Sequence, residues 1–155
     1  MNGADPFLAF IRNQQHLSKV TGVTKEDIGM TYINEFISGV LEIPNLREFQ
    51  LFLYDCVIKW TDNWSTLLLA SKVQHLRLMS KRITFESIPG DSCPSNHYLK
   101  SFAVRVKEPY STNIVSFLKS FPSLKDLCLS HVNRTILESV CTNQVRLVVM
   151  FSLTR

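Results

Sequence analysis

The amino-acid sequence predicts an α/β chain wound as a short solenoid, with a curved parallel sheet of four to five strands and helices and loops on its outer side. Three observations predict it. A strand-like phrase returns four times, as Leu46-x-x-Phe49-x-Leu51, Val73-x-x-Leu76-x-Leu78, Leu99-x-x-Phe102-x-Val104 and Leu124-x-x-Leu127-x-Leu129. The steps between its first residues are nearly constant, at 27, 26 and 25. Between the phrases lie helix-forming or breaker-rich stretches with room to carry the chain back to the next strand. A period of roughly 20 to 29 residues bearing this phrase marks leucine-rich repeats, in which each unit supplies one strand.

Taken in order, residues 1–27 read as a weakly structured lead-in or partial cap, because the cluster Phe7 to Ile11 is brief and polar residues follow it. Thr24 is the expected N-cap of a helix, with Glu26 and Asp27 in its first turn facing the positive end of the dipole. Ile28, Tyr32, Ile33, Phe36, Ile37, Val40 and Leu41 then recur at spacings of three and four, which makes one apolar stripe. That helix should cap the repeats on their N-terminal side. It stops before Pro44, whose ring drives Ile43 out of the α region.

The first phrase follows, with Leu46, Phe49, Leu51 and Leu53 aimed at the core. Asp62 to Ser71 reads as an outer helix capped near Thr61 or Asp62, with Trp60 and Trp64 on its buried side. The second return path, Ile88 to Asn96, is rich in proline, glycine and serine and should be an irregular loop. A third return helix is expected over Asn113 to Lys119, ahead of Pro122. After Val132 the register decays: Thr135 to Cys141 suits a short helix, and Val145-x-x-Val148-x-Met150 fits the phrase loosely at a step of 21. The domain plan is thus a lead-in over 1–27, a repeat domain over 28–132 and a degenerate C-terminal repeat or tail over 133–155.

Composition limits the function classes. With 155 residues and 45% apolar residues the chain is long enough to bury one core. Its net charge of +4 is scattered, the longest basic run being Lys81-Arg82, which points to a solvated surface rather than a nucleic-acid site. Cys56, Cys93, Cys128 and Cys141 contain no C-x-x-C, and no secretory leader or membrane-length apolar run is evident. Reduced thiols in a cytoplasmic or nuclear protein are expected. His16, His75, His97 and His131 lack metal-site spacing, and Ile88-Pro-Gly-Asp91 lacks the second glycine and the lysine of a phosphate loop. His75 and Cys128 fall on one face but about 10 Å apart on strand spacing, too far for a thiolate pair. No catalytic residue, cofactor or metal is expected.

Alternation along each strand sends the first, fourth and sixth phrase positions inward and the third, fifth and seventh to the other side. The second set is Glu48, Gln50 and Phe52; His75, Arg77 and Met79; Ser101, Ala103 and Arg105; and Asp126, Cys128 and Ser130. This ladder, about 4.8 Å per rung, mixes charges, an aromatic, a methionine and small residues, a mixture suited to a protein partner. Phe52, His75, Arg77, Met79 and Arg105 form the cluster where binding energy would concentrate.

The helix Phe36 to Leu41, the strand Leu46-Arg-Glu-Phe-Gln-Leu51, the segment Trp60-Thr-Asp-Asn-Trp64 and then Val73-Gln-His-Leu-Arg-Leu78 resemble the repeat region of plant F-box/LRR-repeat proteins. Phe117 to Leu129 is similar to that family's recurring "lPsLktLxL" unit, and the resemblance spans roughly residues 30–132. It implies a substrate receptor, in which an F-box docks on a Skp-type adaptor of a cullin ubiquitin ligase while the repeats hold the target. Residues 1–35 contain neither the Leu-Pro start nor the downstream tryptophan of an F-box. Adaptor and cullin are therefore expected only with an F-box supplied upstream. The alternatives are a free-standing repeat scaffold or competitor that holds the same targets without ligase recruitment, and a basic nucleic-acid-binding domain.

Overall fold

The computed structural model describes residues 6–24, 29–85, 95–106, 119–130, 134, 137–138 and 146–149. These form an α/β structure around one parallel sheet. The elements run α1 (Pro6–Arg12), β1 (Lys19–Thr24), α2 (Met30–Leu41), β2 (Glu48–Trp60), α3 (Asp62–Ala70), β3 (His75–Phe85), β4 (Ser101–Val106), β5 (Asp126–Leu129) and β6 (Arg146–Val149). The strands lie side by side in chain order, β1 to β6, and every neighbouring pair is parallel. Lys19, Glu48, His75, Ser101, Asp126 and Arg146 stand in register at the strand starts, at steps of 29, 27, 26, 25 and 20 residues.

The strand entries repeat one main-chain device. The N–H groups of Arg47 and Glu48 both donate to the Ser18 carbonyl, at 2.7 and 3.0 Å. Gln74 and His75 do the same to Arg47, Lys100 and Ser101 to Gln74, and Lys125 and Asp126 to Lys100. A turn precedes β1, β2 and β5. Leu17, Leu46 and Leu124 donate their N–H to the carbonyl three residues back, at Gln14, Ile43 and Phe121. Before β4 the side chain of Asn96 replaces that carbonyl, its Oδ1 accepting from Tyr98 and Leu99 N–H at 2.8 and 3.1 Å.

Inward positions make one continuous core. Phe49, Leu76, Phe102 and Leu127 form one row across the sheet and Leu51, Leu78, Val104 and Leu129 the next, all at 3% exposure or less. Each such side chain contributes about 1.5 to 3 kcal/mol through burial. Helix α2 lays Ile33, Ile37, Val40 and Leu41 on this face, and Phe36 meets Phe49 with ring centroids 6.3 Å apart. Gly22 of β1 makes the close fit possible: a Cβ there would lie 2.9 Å from Leu51 Cδ1 and 3.4 Å from the Phe36 ring. Helix α3 is capped by Thr61, whose side chain accepts from Trp64 N–H.

Buried Asn96 ties one unit to the next. Its Nδ2 donates to the carbonyls of Leu68, Leu69 and Ser71 at 3.1, 2.9 and 3.0 Å, satisfying the end of α3, and its own N–H donates to Ser120 O at 2.9 Å. A buried amide with every polar group engaged holds the chain on both sides of it in one arrangement.

Several expectations change. Residues 6–24 are no weakly structured lead-in: α1 packs Ile11 on the core and Lys19–Thr24 pairs as the first strand. Thr24 ends that strand in register with Leu53, and the N-cap of α2 is Gly29 in its place, with the helix beginning at Met30 and no side-chain cap bond. Glu26, Asp27 and Ile28 lie outside the described residues. Trp60 belongs to β2 rather than to the outer helix, because β2 runs on through an irregularity between Leu53 and Val57 and buries Cys56, Ile58 and Trp60 in alternation. The last strand pairs one residue out of the expected register, with Leu147 and Val149 opposite Leu127 and Leu129 in place of Val148 and Met150. Of the loop expected over Ile88 to Asn96, only Ser95 and Asn96 are described, and both are irregular. Residues 86–94 and 113–118, and most of the segment after Val132, lie outside the described residues.

Candidate functional site

Because successive residues of a strand point to opposite faces, the residues between the core positions share the other face of the sheet. The registers place them in three rows. Lys19, Glu48, His75, Ser101, Asp126 and Arg146 form the first. Thr21, Gln50, Arg77, Ala103, Cys128 and Val148 form the second, and Val23, Phe52, Met79 and Arg105 the third. Eleven of the twelve outward residues named from the sequence lie in these rows. His75, Arg77 and Arg105 are exposed, while Glu48, Gln50, Phe52, Met79, Ser101, Asp126 and Cys128 are half-buried among their neighbours. Ser130 stands just past the end of β5, also half-buried.

Sequence reasoning missed the three residues that β1 adds. Val23 is 62% exposed and extends the third row beside Phe52. Lys19 Nζ lies 3.3 Å from Glu48 Oε2, with the two side chains 57% and 37% exposed, so this pair orients Glu48 more than it stabilises the fold. The available signal was Leu17-x-x-Val20, a truncated phrase starting 29 residues before Leu46.

Among the described residues the face brings together no His, Cys or Ser arranged as a nucleophile and its base. His75 and Cys128 sit in different rows with β4 between their strands. His97 Nδ1 and Ser123 Oγ approach to 3.4 Å in the loops leading to β4 and β5, as an exposed contact. Among the described residues no group of three or more His, Cys, Asp or Glu is arranged to hold a metal ion, and no helix is long and apolar enough to cross a membrane. What the arrangement offers is a broad surface of regularly spaced side chains on a rigid backbone.

No family model and no curated protein matches the chain. Its function is therefore argued from the geometry of this face.

Proposed function

We propose that the chain is a leucine-rich-repeat solenoid that binds a protein through the three-row face of its sheet, as the target-recognition part of an F-box/LRR-type substrate receptor. The observation that carries this reading is the contrast between the two faces. Wholly parallel sheets are as a rule covered on both sides by helices and read as continuous apolar strands. Here the inward positions of β2 to β5 that form the two core rows are buried and the residues between them are exposed or half-buried, as in a repeat array that keeps one side for a ligand. The near-constant steps between strand starts and the recurring shared carbonyl add support. The mixture on the face suits a protein surface better than a phosphate backbone.

The alternative is a free-standing scaffold or competitor that holds the same targets without delivering them to ubiquitin; residues 6–24, which build a helix and the first strand of the same sheet, suit either reading.

Affinity isolation from cells tests the binding face. Wild-type protein is compared with a variant carrying Phe52→Asp and Arg105→Glu and with one altered on the exposed side of α3 at Asn63 and Thr66. A partner lost with the first variant and kept with the second is expected; partners indifferent to both overturn the proposal. Fusing an F-box upstream then separates the readings. A shortened lifetime of the captured partner supports the ligase role, and an unchanged lifetime favours the scaffold.

A further inference from the structure

Resting on that reading, we infer that the face recognises an extended peptide segment in which an acidic side chain is followed or preceded, about three residues away, by a large apolar one. The acid is held at a notch on β3 and β4. Arg77 pairs in register with Ala103, and Met79 with Arg105, so these four residues form the corners of a rectangle with the arginines on one diagonal. Strand spacing of about 4.8 Å and a rise of about 3.3 Å per residue put the arginine Cα atoms about 8 Å apart. At the third corner Ala103 is short, which leaves a depression between two long cations. Both arginines are exposed. Neither guanidinium group makes an ion pair or hydrogen bond with another described residue.

Two guanidinium groups at this separation repel each other, and a carboxylate seated over Ala103 removes that repulsion while accepting hydrogen bonds from one or both planar forks. The sheet supplies no such group at the notch. Of the two carboxylates in the three rows, Glu48 is paired with Lys19, and Asp126 stands in the first row on β5.

The apolar contact lies beside the notch. Val23, Phe52 and Met79 follow one another across β1, β2 and β3, with Val23 largely exposed. From Phe52 to Arg105 is two strand spacings, about 10 Å, which an extended peptide covers in about three residues. An arginine-flanked notch next to a half-buried aromatic and a half-buried methionine is the kind of surface where binding energy concentrates.

Panning a phage library of short random peptides on the full-length chain tests this, with Arg77→Glu/Arg105→Glu and Phe52→Asp variants as comparators and circular dichroism as the check on folding. Enriched peptides should pair Asp or Glu with Leu, Phe or Trp about three positions apart. Synthesised and measured by fluorescence anisotropy, they should bind each variant roughly tenfold or more weakly. Replacing their acid by lysine should reverse the preference toward Arg77→Glu/Arg105→Glu. Enriched peptides that bind less well to Phe52→Asp but lack an acid, or that ignore the arginine reversals, overturn this inference and leave the protein-binding face standing. Failure to enrich any peptide that responds to a substitution on the face overturns both.

Discussion

Trp60 and Trp64 meet edge to face, ring centroids 5.5 Å apart and planes at 89°, although one ends a strand and the other lies in the first turn of the next helix. The contact turns the chain from the sheet into α3. Both indole N–H groups are engaged, Trp60 Nε1 with Ser65 Oγ at 2.7 Å and Trp64 Nε1 with Asn34 Oδ1 of α2.

This corner should dominate stability locally. Trp64→Ala is expected to lower the unfolding free energy by about 3 to 5 kcal/mol. Trp60→Phe keeps most of the ring but strands the Ser65 hydroxyl, at about 1 to 3 kcal/mol. Adding Ser65→Ala to Trp60→Phe should recover part of that loss, and urea midpoints measure it. No recovery would show that the hydrogen bond is not what the ring substitution removes.

Asn96 allows a sharper comparison. Asn96→Ala removes the amide that serves the Leu68, Leu69 and Ser71 carbonyls and the Tyr98 and Leu99 N–H groups, with an expected loss of about 3 kcal/mol or more. Asn96→Asp keeps the shape and the acceptor but sets an anion against three carbonyls. At neutral pH it should destabilise at least as much as alanine. Denaturation showing Asn96→Asp close to wild type would mean that the three donated bonds contribute little.

Gly22 is expected to resist any side chain. Its surroundings put a new Cβ within 2.9 Å of the end of Leu51, itself buried at 3% exposure. Gly22→Val should therefore cost about 1 to 3 kcal/mol by overpacking. In a double-mutant cycle Gly22→Ala should be better tolerated beside Leu51→Val than beside leucine, with a coupling of about 0.5 kcal/mol or more. Strict additivity would place the strain elsewhere.

Ser80 gives a prediction of opposite sign. Its Oγ is buried without a hydrogen-bond partner among the described residues, in the row that contains Leu53 and Val106. Ser80→Ala removes that unsatisfied group and should leave stability unchanged or raise it by up to about 1 kcal/mol. A clear drop in thermal midpoint would show that the hydroxyl is bonded in solution.

Much of the sheet was legible because the phrase couples two periodicities, alternation within a strand and recurrence between strands. The phrases from Leu46, Val73, Leu99 and Leu124 each lead into a strand. Lys19–Thr24 escaped because Gly22 stands where the phrase wants a bulky residue, and the reason for the glycine lies in Phe36 and Leu51, distant in sequence. The four-residue spacing between Trp60 and Trp64 suggests one helix face, yet the alternation Cys56, Ile58, Trp60 in the same stretch points to a strand. The final register differed because Leu147 and Val148 are both apolar, so alternation there admits two settings. Of the candidate face, the arginines and Phe52 were legible; the Lys19–Glu48 pair was not, since it depends on an unrecognised strand.

The shared carbonyls of Ser18, Arg47, Gln74 and Lys100 join unit to unit through groups that every amino acid possesses. Spacing along the sheet is thereby decoupled from the identity of the outward side chains. Mutation is free to rewrite the chemistry of the outward surface while the scaffold that displays it keeps its pitch, so a changed surface need not come at the expense of folding.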